Sequence, residues 1–91
     1  MQKRQVNVTN PFGVHARPSA MIVQLASRFR SRVSLTFNGH TANGRSIVAV
    51  MLLAAGVGTT ITVEAIGPDE REAIDALVEL ISGRFEKLPV T

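Results

Sequence analysis

The stretch Asn10-Pro11-Phe12-Gly13-Val14-His15-Ala16-Arg17-Pro18-Ser19-Ala20 decides how this chain is read. Asn10-Pro11 and Gly13 are turn formers, so the run begins as a loop. Pro18 suits the first turn of a helix, where its missing N–H had no partner to lose. Beyond it Met21, Ile22, Leu25 and Phe29 recur at helical spacing, which predicts an amphipathic helix from near His15 to about Arg30. His15 then lies at or just before the helix N-terminus, where free amides and the positive end of the helix dipole converge, with Arg17 within reach. Such a place suits a dianion. The dipole opposes protonation of the ring, neutral imidazole is a nucleophile, and phosphorus is an electrophile it can attack. A phosphoryl group on the ring would face amide donors and a guanidinium whose planar fork matches phosphate. A plainer reading of the same residues is a histidine at a helix end and a solvated arginine.

Working outward, each flank reads as a strand or a helix. Gln5-Val6-Asn7-Val8-Thr9 alternates polar and apolar, the mark of a strand with one buried face. Arg28 and Arg30 are expected to complement the negative C-terminal end of the first helix. Arg32 to Phe37 alternates again, with Val33, Leu35 and Phe37 inward, and Asn38-Gly39 signals a type I′ hairpin turn into a short strand, His40 to Ala42. Ser46 is placed to cap a short helix from Ile47 to about Ala54, closed near Gly56. Thr60 to Ile66 is a fourth strand, with Ile61, Val63 and Ala65 on one face. After the turn at Gly67-Pro68, Asp69 with Glu72 fits a capping box, and Ile74, Leu77, Val78 and Ile81 form one face of a last helix, with Ala73 beside them. Four strands and three helices in the order β-α-β-β-α-β-α must share one core. The expected fold is therefore α+β, an antiparallel sheet covered by helices on one face only.

Length and composition limit the possible functions. Ninety-one residues make a single domain, 1–91. With no cysteine there is neither a disulfide nor a thiolate metal site. Met1-Gln2-Lys3-Arg4 leads into a polar strand instead of a signal sequence, and no apolar run nears the roughly 20 residues that span a bilayer. A cytoplasmic protein with no membrane insertion is expected. The net charge of +3 conceals an asymmetry, since residues 1–63 contain no acid and all seven acids lie from Glu64 to Glu86. The histidine motif sits in the basic part and has no carboxylate nearby in sequence to hold magnesium. His40 is the only other histidine, and the pair has no metal-ligand spacing, so neither metal nor cofactor is expected.

Gly13-Val14-His15-Ala16-Arg17-Pro18 resembles the active-site motif of the HPr family, the histidine-containing phosphocarriers of the bacterial phosphoenolpyruvate-dependent phosphotransferase system. The likeness runs on through Asn43-Gly44-Arg45-Ser46-Ile47-Val48-Ala49-Val50-Met51-Leu52-Leu53, then through Glu64-Ala65-Ile66-Gly67-Pro68-Asp69-Glu70 and the helix after it. It covers nearly the whole chain. It implies an open-faced sandwich with strand order 1-4-2-3, phosphorylation of His15 on Nδ1, and stabilisation by Arg17 and the amides of Ala16 and Arg17. Enzyme I is the implied donor and IIA domains of sugar permeases the acceptors, the chain acting as a monomeric carrier and not as an enzyme. Docking is assigned to Ala20, Ile47, Val48 and Met51, with Val50 and Leu53 inward. In some family members the serine matching Ser46 is phosphorylated by a dedicated kinase, HPr kinase/phosphorylase, which blocks docking. Basic residues often flank the docking surface in the family. Here Gln24, Ser27 and Ala49 are uncharged, which leaves steering to Arg17, Arg28, Arg30 and Arg45.

Three other readings stay open. A nitrogen-branch carrier would share the fold and the histidine, although Arg45-Ser46-Ile47 looks more like the sugar branch. An RNA-binding sheet would need stacking aromatics, and the chain has no Trp or Tyr, while its one strand phenylalanine, Phe37, points inward. A small phosphate-hydrolysing enzyme would lose its phosphate to water without an acceptor.

Overall fold

The computed structural model describes residues 1–8, 16–53 and 58–82. Its elements are β1 (Gln2–Asn7), α1 (Ala16–Ala26), β2 (Arg32–Phe37), β3 (His40–Asn43), α2 (Ile47–Leu52), β4 (Thr60–Ile66) and α3 (Glu70–Ile81). The strands form one antiparallel sheet in the order β1-β4-β2-β3.

Strand alternation sets the two faces of that sheet. Val6, Val33, Leu35, Ala42, Ile61, Val63 and Ala65 are buried on the helical side. Ile22 and Ala26 of α1, Val50 of α2, and Ala73, Ile74, Leu77, Leu80 and Ile81 of α3 close over them. Val78, expected in the same stripe, is half-buried at its margin, as is Phe37 at the end of β2. The other face carries Lys3, Gln5, Ser34, Thr36, Thr62 and Glu64, with Lys3 opposite Glu64 and their charges 3.6 Å apart. The β2–β3 hairpin turns through Asn38 (φ 53°) and Gly39 (φ 81°), as the type I′ signal requires.

Three boundaries differ from the sequence reading. β1 begins at Gln2 instead of Gln5, because Arg4 takes a helix-side position opposite Val63 and satisfies its charge on Asp75 of α3 at 3.1 Å. An apolar pattern cannot register a charged residue placed that way. Thr9 lies outside the described residues. α1 ends at Ala26, short of Arg30, because the chain tightens there: the amides of Arg28 and Phe29 bond three residues back, to Leu25 and Ala26. Arg28 and Arg30 are therefore beyond its last turn, and the guanidinium of Arg45 reaches the Phe29 carbonyl at 2.9 Å instead. β3 runs one residue further than expected, to Asn43, which pairs with Ser34.

The expected capping box at Asp69 is corrected as well. Asp69 occupies the N-cap position of α3, but its side chain makes no cap bond. Its carboxylate instead accepts from the amides of Arg30 and Ser31, each at 2.9 Å, and from the Ser31 hydroxyl at 2.6 Å. Glu70, not Glu72, accepts the Gly67 amide. The contact is close enough to exclude a side chain at Gly67, where a Cβ would lie 2.6 Å from Ser31 Cα at a φ of +154°.

Above all the Ser31 hydroxyl, then the Arg30 amide, hold the Asp69 carboxyl below its ordinary value of 3.8. A depressed folded-state value stabilises the protein above the unfolded-state value, and that contribution is lost as pH falls through the folded one. Ser31→Ala should therefore destabilise the protein at neutral pH, and the difference from wild type should shrink as pH falls below about 3.8. Urea unfolding at about pH 7 and about pH 2 measures it, and a penalty equal at both would exclude this linkage.

Candidate functional site

α1 starts at Ala16, the residue that follows His15 in the sequence. His15, the loop before it, and the side chains of Ala16 and Arg17 lie outside the described residues. The backbone they adjoin is informative. The first N–H groups of an α-helix have no intrahelical partner, and here Ala16, Arg17 and Ser19 supply them, Pro18 having none. Pro18 and Ser19 are buried in this first turn, and the Ser19 hydroxyl has no partner among the described residues. Ala20 is half-buried beside them.

α2 packs against α1 and β3. Its start follows from side-chain chemistry. The Asn43 carboxamide oxygen accepts the Arg45 amide at 2.9 Å and closes the turn out of β3. Ser46 then adopts extended angles, φ −111° and ψ 109°, and its hydroxyl oxygen accepts the Ala49 amide at 3.2 Å. The cap expected from the sequence is present. The helix ends at Leu52 with Leu53 as its C-cap, while Ala54 and Gly56 lie outside the described residues.

A helix of this length buries one stripe, and every position from Ile47 to Leu53 is apolar. Val50 and Leu53 are the buried pair. Ile47 (43% exposed), Val48 (66%), Met51 (40%) and Leu52 (77%) face out. The sequence reading placed Ile47, Val48 and Met51 together and left Leu52 unassigned. Its signal was its spacing, four residues from Val48, which sets the two on one face of the helix. Four large apolar side chains in water on one short helix exceed the single exposed hydrophobic that needs no explanation.

Among the described residues, little charge flanks this surface in α1. Gln24 and Ser27 are exposed and uncharged, and Arg45 is engaged with Phe29. His40 is exposed at the start of β3, remote in sequence from the α1 N-terminus and paired in register with Phe37. Among the described residues no three His, Asp or Glu side chains converge as metal ligands, and no helix is long and apolar enough to cross a membrane.

A family model described as "PTS HPr component phosphorylation site" matches residues 2–83. The chain belongs to the HPr family. Phosphocarrier protein HPr of Cupriavidus necator is 49% identical over 85 residues, 93% of this chain and 96% of that one. HPr-C-His from Thermoanaerobacter tengcongensis superposes with a TM-score of 0.90 at 37% identity, covering 98% of this chain and all of that one. An HPr dimer from the same organism matches with a TM-score of 0.73 at 39% identity, over 93% of this chain and 98% of that one. The strand order β1-β4-β2-β3 is the one that the resemblance implied. Membership makes the chain an HPr-type phosphocarrier of the phosphotransferase system and brings phosphohistidine chemistry with it.

The exposure pattern of α2 gives a direct test. Val48→Glu should leave stability within about 0.5 kcal/mol of wild type, as expected of an open surface position. Leu53→Ala should cost about 2–5 kcal/mol, and Ser46→Ala about 0.5–2 kcal/mol through its cap. Chemical denaturation of the three variants measures this order.

Proposed function

We propose that the protein takes a phosphoryl group onto His15 from phosphorylated enzyme I and hands it to a histidine on the IIA domains of sugar permeases. The observation that carries this reading is the start of α1 at Ala16, one residue after the histidine of the family's motif. A ring nitrogen of His15 attacks phosphorus in line, and the bond from phosphorus to the donor's imidazole breaks as the new one forms. Transfer between two imidazoles through a loose transition state calls for alignment and charge stabilisation more than for covalent help. The amides of Ala16 and Arg17 and the Arg17 guanidinium are suited to that task. Their grip must stay moderate, because a carrier has to release what it carries. The protein itself has no turnover, works as a monomer in the cytoplasm and needs no cofactor.

The outward face of α2 supports a docking role for Ile47, Val48 and Met51, and half-buried Ala20 on the adjoining α1 is assigned to the same surface. Leu52 adds to the same surface. A small, apolar, adaptable patch that includes a methionine suits brief encounters with more than one partner. Ser46 stands at the rim of this patch, immediately before Ile47, so a phosphate on its hydroxyl would set two negative charges against the apolar face. A kinase acting there would weaken docking without touching His15.

Incubation with phosphoenolpyruvate and a cognate enzyme I should load one acid-labile phosphoryl group. None should appear on His15→Ala, and a group retained by that variant would move the acceptor elsewhere. Arg17→Ala should slow transfer about tenfold, the loss of one charge-assisted contact, with the circular dichroism spectrum unchanged. Val48→Glu, stable by the argument above, should raise the apparent KM for enzyme I. Unaltered kinetics in that variant would remove α2 from the interface.

A further inference from the structure

The far end of α1 carries a second basic feature, apart from the residues proposed to bind the phosphoryl group at His15. A cavity of about 470 Å³, open to solvent, lies where the turn after α1, the start of β2 and the exit of β3 meet. Arg30, Arg32 and Arg45 line it together with Asn43 and the exposed Ile66. Among the described residues none of these three arginines forms an ion pair. Asp69 lies close in the fold, but its carboxylate turns to the amides of Arg30 and Ser31 and to the Ser31 hydroxyl instead of a guanidinium, and its single negative charge offsets only part of the three positive ones. Arg45 is braced at both ends: its amide on Asn43 and its guanidinium on the Phe29 carbonyl at 2.9 Å. Arg32 stands opposite Ile66 in the β2–β4 register, so one wall pairs a guanidinium with an apolar side chain.

Three like charges around one cavity repel one another unless an anion joins them, and bidentate arginine favours phosphate oxygens. The volume exceeds that of a single phosphate and lies within the range of small-ligand sites. α1 is 11 residues long, so about 16 Å of helix separates this end from the one that follows His15. We propose that the cavity is a binding site for a small phosphorylated metabolite carrying at least two anionic groups, independent of the site at His15. Arg30, Arg32 and Arg45 would hold the phosphates, the Asn43 carboxamide would orient them, and Ile66 would contact the organic part.

The test is an amide chemical-shift titration of the full chain with inorganic pyrophosphate at constant ionic strength. Saturable shifts are expected at Ser31, Arg32, Asn43 and Arg45. Arg32→Gln and Arg30→Gln, both at exposed positions, should each weaken binding about tenfold, while Arg71→Gln on α3 should leave it unchanged. Any shifts at Ala16 and Arg17 should persist in Arg32→Gln, since they would report the other end of α1. Shifts that never saturate, or that saturate equally in Arg32→Gln and wild type, would overturn the proposal. So would a short oligonucleotide that binds more tightly than pyrophosphate at equal phosphate concentration, which would make the cavity part of a nucleic-acid surface.

Discussion

The carboxylate of Asp69 receives two amides and a hydroxyl from residues 30 and 31, and through these bonds the exit of α1 is pinned to the entry of α3. The Arg45 guanidinium adds a bond to the Phe29 carbonyl of the same loop. α1 ends in a tightened turn, and the loop from Ser27 to Ser31 reverses the chain into β2. Donors that a loop would otherwise leave to water are collected by one anion, and the glycine at 67 lets the two segments approach closely enough for it. Once the C-terminal end of α1 is held, a helix of 11 residues carries its other end, at Ala16, across the sheet.

The second consequence of the fold is what it leaves exposed. The sheet offers one dry face, and α1 and α3 cover most of it with Ile22, Ala26, Ile74, Leu77 and Ile81. Room remains for one stripe of α2, filled by Val50 and Leu53. Ile47, Val48, Met51 and Leu52 are left in water because the helix is too short to turn them under and α1 occupies the space beside it. An apolar surface retained at that cost is suited to short-lived contact with other proteins, in keeping with a phosphocarrier that must bind and release partners in sequence.

Charge is distributed by the same geometry. The acids cluster late in the chain, and α3 uses Asp75 to neutralise Arg4 while Glu64 faces Lys3 across β1 and β4. The basic residues between 28 and 45 find no such partners among the described residues, apart from the carbonyl that receives Arg45. α1 thus separates two places suited to anions, one where its free amides begin and one where its chain turns back.

The sequence by itself determined the element order, the hairpin at Asn38-Gly39, the Ser46 cap, the buried faces of β2 and β4, and the family to which the chain belongs. These are local properties: turn chemistry, alternation and spacing act within a few residues and leave their marks in the order of the letters. Only the tertiary structure decided that Asp69 serves Ser31 instead of its own helix, that Arg4 extends β1 toward Asp75, that Arg45 braces Phe29, and that the outward face of α2 stays uncovered. Each of those joins segments far apart in the chain, or depends on how much of the sheet a neighbour has already covered. A carboxylate or guanidinium carries no trace of its partner in its own sequence, because the bond is selected by where the packed elements bring the donors and acceptors together.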